Sequence, residues 1–89
     1  MIYKKETKYK IDMEDLKTYT TSDLYLGAFL KVKGHKMSVE KMRNKASFIF
    51  NETPELILLV NAYLTENASC DPLQYANSIK NVKNLLYNL

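Results

Sequence analysis

His35 and Cys70, the only histidine and the only cysteine among 89 residues, are the two side chains best suited to nucleophilic or imidazole chemistry. A thiol nucleophile needs an imidazole within hydrogen-bond reach and a third group to orient that ring. No spacing in the chain brings the two together, and His35 directly follows Gly34, where a side chain often covers the last carbonyls of a helix. HExxH, CxxC and the Asp-rich calcium loop are absent from the sequence, and one cysteine excludes an intrachain disulfide framework. Gly27 and Gly34 are the only glycines, so no phosphate-cradling GxxxxGKS, GxxxxGKT or GxGxxG loop exists. Carboxylates pair at Glu14–Asp15, in a charged segment, and at Glu52 with Glu55, where a helix start attracts negative charge. These residues predict a non-enzymatic protein without metal or cofactor.

What remains is a pattern of cations and aromatic rings. The net charge of +3 is unevenly placed: residues 31–45 carry Lys31, Lys33, Lys36, Lys41, Arg43 and Lys45 against Glu40, a local charge of +5. Residues 51–89 carry Lys80 and Lys83 against Glu52, Glu55, Glu66 and Asp71. Localised positive charge points to an anionic partner. Lys80, Lys83 and Tyr87 fall at i, i+3, i+7 on one side of a helix. With Lys36, Lys41, Arg43 and Lys45 they form the candidate nucleic-acid-binding set, and Tyr3, Tyr9 and Tyr19 offer faces on which bases could stack. The competing reading is a solvated, lysine-rich hairpin with tyrosines packed by their rings and wet at their hydroxyls.

A second pattern is apolar excess. Ile57 and Leu58 join Leu56, Leu59 and Val60 and leave only Asn61, Thr65 and Glu66 as a polar side. In so small a domain, Ile57 and Leu58 are candidates for a homodimer or protein-partner interface. The competing reading is a central helix flanked by two others.

The elements that must position these residues have clear signals. Thr21 or Ser22 is expected to cap a helix over about residues 22–33, with Asp23 favoured by its dipole and Gly34 closing it in a left-handed conformation. Its residues are apolar on most sides, apart from a stripe of Asp23, Gly27 and Lys31, so it is the core helix. Residues 36–51 read as a β-hairpin, with Asn44 in the turn and Phe48 and Phe50 on one face of the second strand, Ile49 on the other. Thr53-Pro54 and Asp71-Pro72 each read as a cap followed by proline at the first helical position, opening helices two and three, the third running to about residue 87. Tyr75, Ala76, Ile79, Val82, Leu86 and Leu89 are the expected apolar stripe of the third helix, opposite Asn77, Asn81, Asn84 and Asn88. Residues 2–11 alternate as an edge strand, and Asp12 to Thr20 carries no clear signal. The expected fold is a single α+β domain over residues 19–89, order β-α-β-β-α-α, with a small antiparallel sheet on three helices and residues 1–18 as an N-terminal extension.

A chain of this size buries roughly 60–65% of its unfolded surface, enough for one modest core. Met1-Ile-Tyr-Lys-Lys-Glu lacks the apolar segment of a secretory signal, and the longest apolar run, Leu56 to Val60, is far too short to span a membrane. A cytoplasmic location is expected.

Thr21-Ser-Asp-Leu-Tyr-Leu-Gly-Ala-Phe-Leu with Lys33-Gly-His-Lys resembles a small uncharacterised family of phage and bacterial proteins that carries only a domain-of-unknown-function label. The resemblance continues through Ser47-Phe-Ile-Phe-Asn, Thr53-Pro-Glu-Leu, Val60-Asn-Ala-Tyr, Asp71-Pro-Leu and Lys80-Asn-Val-Lys-Asn-Leu-Leu-Tyr, covering residues 19–88. It implies a phage or mobile-element setting, and the host cytoplasm if the protein is phage-encoded, but no activity or site residues. Gly27 stands where that family favours a helix former, loosening the helix by up to about 1 kcal/mol or admitting another backbone. Ile57-Leu58 stands where polar residues are commoner, which favours the interface. The leading expectation is a binding module that contacts nucleic acid through the basic hairpin; the alternative is a protein-interaction module, as a host-factor inhibitor or a homodimeric adaptor.

Overall fold

Phe48 and Phe50 organise the sheet. A computed structural model describes residues 17–89 and places both rings on β3 (Lys45–Asn51), the central strand of three. β1 (Thr18–Thr21) and β2 (Ser38–Met42) flank it, both antiparallel. Cross-strand partners share a face. Tyr19 lies opposite Phe50, Thr21 and Val39 lie opposite Phe48, and Lys41 lies opposite Ala46, so these residues face the helices. Thr18, Thr20, Ser38, Glu40, Met42, Lys45, Ser47, Ile49 and Asn51 form the other face, which no helix among the described residues covers.

Three helices complete the domain, α1 (Leu24–Val32), α2 (Pro54–Leu64) and α3 (Pro72–Tyr87); α1 and α3 meet the sheet, and α2 and α3 both pack on α1. The order is β-α-β-β-α-α and the fold is α+β, as the sequence implies. Leu26, Ala28, Phe29 and Leu30 of α1 are buried with Phe48, Phe50, Leu56, Val60 and Val82 as one core. Ala28 and Ser78 are both small and buried at the α1–α3 contact, where the Ser78 hydroxyl donates to the Ala28 carbonyl at 2.9 Å.

The helix ends obey local rules. Thr53 Oγ1 accepts the Leu56 N–H at 3.1 Å and Asp71 Oδ2 accepts the Gln74 N–H at 2.8 Å, each ahead of a proline in the first turn. At α1 the cap is Asp23 rather than Thr21 or Ser22: its Oδ1 accepts from the Tyr25 and Leu26 N–H groups, and Thr21 Oγ1 accepts the Asp23 N–H. Two residues of extended chain follow β1 before the helix begins, which moves the cap to Asp23. Gly34 (φ +98°) closes α1 in a Schellman motif, its N–H donating to Lys31 and that of His35 to Leu30. It is therefore the His35 main chain that satisfies a terminal carbonyl.

Several expectations change. β1 occupies residues that carried no clear signal, and it forms because Tyr19 and Thr21 pair with the two phenylalanines of β3. The strand expected over residues 2–11 lies outside the described residues. On α1, Gly27 is buried instead of lining a polar stripe, and Tyr25 is half exposed. On α3, Ala76 is exposed because the buried direction runs through Tyr75, Ser78, Ile79 and Val82, and Leu89 is exposed beyond the end of the helix.

The space beside Gly27 supports a direct test. A Cβ there would lie 3.5 Å from Met37 Sδ and from Phe48 Cγ, ordinary van der Waals contact with side chains and no close backbone approach. Gly27→Ala is expected to stabilise the domain by about 0.5–1 kcal/mol, because it removes backbone freedom from the unfolded chain at a helical position. The urea midpoint should rise with an unchanged slope; a fall would mean that Met37 and Phe48 cannot accept the methyl group.

Candidate nucleic-acid interface

β1 pairs with β3 only over Phe48–Asn51, whereas β2 pairs with β3 from Ile49 back to Lys45. Beyond Phe48 the sheet therefore narrows to a two-stranded ribbon, Glu40–Met42 against Lys45–Ser47, closed by Arg43 and Asn44. Alternation sends Lys41 to the helix side of this ribbon and Lys45, opposite Met42, to the other side. Arg43 lies at the apex. All three cations are exposed, as is Met42 at 75%. Glu40, opposite Ser47 on the Lys45 side, is the one acid on the ribbon.

The turn has an unusual occupant. Arg43, the first of the two turn residues, adopts φ +56°, a left-handed conformation that favours glycine, and Asn44 does not share the positive φ. The sequence pointed to Asn44 as the turn residue; the strained position is Arg43. A non-glycine residue there costs on the order of 1 kcal/mol, and strained backbone tends to persist where the side chain has a use. Arg43→Gly is expected to raise stability by about 0.5–1 kcal/mol while weakening binding of an anionic partner. Denaturation and titration on the same sample check both halves.

The remaining predicted cations lie elsewhere. Lys36 is exposed in the connection between α1 and β2. Lys80, Lys83 and Tyr87 are exposed along one flank of α3, and Asn77 and Asn81, on the opposite flank, line a groove with Lys31 and Val32. The α3 stripe is thus a second basic patch on a different element from the ribbon. Tyr19 is not a stacking platform: it points to the helix side and packs against the core. Tyr3 and Tyr9 lie outside the described residues, as do Glu14 and Asp15.

The fold does not bring the histidine and the cysteine to one site. His35 lines a groove with Lys33, Glu55 and Leu58, whereas Cys70 lines a separate cavity with Tyr63 and Tyr75. No group of three or more His, Cys, Asp or Glu residues is placed to hold a metal ion among the described residues. Glu52 and Glu55 line two adjoining grooves that share Leu58. Among the described residues, no helix is long and apolar enough to cross a membrane.

The apolar run on α2 is largely absorbed into the fold. Leu56 and Val60 are buried, Ile57 and Leu59 are half-buried against the core, and only Leu58, at 69%, is largely exposed. Of the two predicted interface residues, Ile57 belongs mainly to the core and Leu58 to the surface.

The Cys70 cavity could not be read from the sequence. Phe29 and Tyr63 meet with centroids 5.9 Å apart, the Tyr75 hydroxyl donates to the Tyr25 carbonyl at 3.1 Å, and the Tyr63 hydroxyl reaches Asp23 Oδ2 at 3.4 Å. Burial, helped by the Asp23 carboxylate, pushes the Tyr63 phenol up to about 12 and raises that of Tyr75. Both rings stay protonated at neutral pH.

The family model described as Domain of unknown function (DUF5659) matches residues 16–88. Neither a curated protein nor a solved structure matches the chain.

Proposed function

We propose that this chain, which belongs to the domain-of-unknown-function family DUF5659, binds double-stranded nucleic acid through its β2–β3 ribbon and catalyses no reaction. The observation that carries this reading is the two-stranded ribbon with Lys41 on one face, Lys45 on the other and Arg43 at the apex. Cations on both faces suit a groove walled by phosphates on both sides. The major groove of B-form DNA admits a two-stranded ribbon, whereas the deep, narrow major groove of A-form RNA does not. The reading therefore favours DNA duplex. Lys36 and the Lys80, Lys83 and Tyr87 stripe would add backbone contacts outside the groove. A phage or mobile-element setting and a cytoplasmic location accompany this reading, on the likeness of residues 19–88 to phage and bacterial proteins.

Fluorescence anisotropy with a labelled random-sequence DNA duplex, at low salt, tests it. Saturable binding is expected, stronger than to an RNA duplex or a single strand of equal length. Absence of duplex binding at low salt contradicts the proposal.

One observation favours a second reading, a protein-interaction or homodimeric module: Leu58 is exposed on α2 between two grooves, one lined by Lys33, His35 and Glu55, the other by Lys17, Glu52 and Pro54. Light scattering decides the homodimer form. A dimer that Leu58→Glu converts to monomer supports it, and a monomer at high concentration opposes it.

A further inference from the structure

We infer that the cavity between the α2–α3 connection and α1 is a binding site for the guanidinium group of an arginine side chain on another polypeptide. The cavity holds about 390 Å³, toward the lower end of ligand-pocket sizes. Three aromatic residues, Phe29, Tyr63 and Tyr75, line it together with Glu66 and the small or apolar residues of the α2–α3 connection and the start of α3. No lysine, arginine or histidine lines it among the described residues.

The chemistry of these walls selects a cation that donates hydrogen bonds. Aromatic faces attract cations, most strongly where water is excluded. Phe29 already does so within the molecule, since Lys33 Nζ stands 5.7 Å from its ring centroid while Lys33 lines a different groove. The two phenol protons are committed within the molecule, from Tyr75 to the Tyr25 carbonyl and from Tyr63 toward Asp23. What the hydroxyls offer a ligand is acceptor oxygens. Glu66 adds two more acceptors and a charge, and a planar guanidinium satisfies a carboxylate bidentately.

Glu66 supplies an independent observation. It occupies the glycine position of a Schellman motif at the end of α2, with φ +63°, its N–H donating to the Tyr63 carbonyl and that of Asn67 to the Ala62 carbonyl. At the equivalent position of α1 the chain uses Gly34. Retaining a strained carboxylate where glycine is unstrained fits a side chain with work at the cavity rim. The Glu66 carboxylate, with no cation lining the cavity among the described residues, disfavours the α-carboxylate of free arginine and favours a residue within a chain. This site is distinct from the ribbon, so it stands or falls apart from the nucleic-acid reading.

Titration of the ¹⁵N-labelled full chain with N-acetyl-arginine methylamide, N-acetyl-citrulline methylamide and free arginine tests it. Saturable shifts at the Glu66 and Ala68 amides are expected for the blocked arginine. The neutral citrulline and the free amino acid should each bind at least about tenfold more weakly, and Glu66→Gln should weaken the blocked arginine at least about fivefold without perturbing distant amides. Absence of saturable shifts, or equal binding of citrulline, overturns the guanidinium assignment. Unchanged affinity in Glu66→Gln overturns the role of the carboxylate, and equal binding of free arginine overturns the assignment to a polypeptide.

Discussion

Phe48→Ala is expected to destabilise the domain by about 3–5 kcal/mol, the largest single effect in the molecule. The ring is 1% exposed, on the central strand, opposite Thr21 on one side and Val39 on the other. It also packs beneath Gly27 of α1, so its removal opens a cavity between the sheet and the core helix. Small domains are stable by only roughly 5–15 kcal/mol, so the variant should be partly or wholly unfolded near body temperature. Ile49→Ala, one residue along, is the internal control. Ile49 is half-buried on the uncovered face, opposite Ser38 and Thr20, and its truncation should cost less than half as much. Equal costs in urea denaturation would contradict the register, because a one-residue slip exchanges the two faces.

Replacing Lys41, Arg43 and Lys45 together by alanine is expected to produce the largest functional change. All three are exposed, and none contributes to the buried core, so the fold should survive. Each cation that neutralises a phosphate releases counterions, and removing three such cations should weaken duplex binding by at least about tenfold at near-physiological salt. The comparison variant is Lys80→Ala with Lys83→Ala. Those lysines lie on α3, outside the ribbon, and their replacement should weaken binding less than replacement of the ribbon cations. If the α3 pair proves the more damaging, the helix and not the ribbon is the principal contact.

Local chemistry explains why much of this fold is legible in the sequence. Thr53-Pro54, Asp71-Pro72 and Gly34 each satisfy or terminate a helix within a few residues, and each acts as its residue type implies. The alternation of Phe48, Ile49 and Phe50 likewise carries its own face assignment. The less legible features depend on distant partners. The strand Thr18-Tyr-Thr-Thr has only one aromatic residue and no run of apolar ones, and it exists through its pairing with β3. Ser78 interrupts the apolar stripe of α3 as a polar residue, yet it is buried because its hydroxyl meets the Ala28 carbonyl fifty positions away.

The basic site was legible as composition but not as geometry. Lys36 to Lys45 stood out as a cluster of charge, whereas the separation of Lys41 from Lys45 depends on the β2–β3 register and turn. The cavity of Phe29, Tyr63, Glu66 and Tyr75 draws on three helical regions and left no local pattern, although Glu66 could have been suspected from its place just after an apolar helix with no glycine to end it.

The central claim is that the ribbon binds duplex DNA through phosphate contacts made by Lys41, Arg43 and Lys45, and its most direct test is the salt dependence of affinity. The slope of log K against log salt should be steeply negative for the unaltered chain and should become shallower by about 2.7 in the triple alanine variant, about 0.9 for each phosphate no longer neutralised. An unchanged slope in that variant, or a slope near zero in the unaltered chain, would contradict the claim.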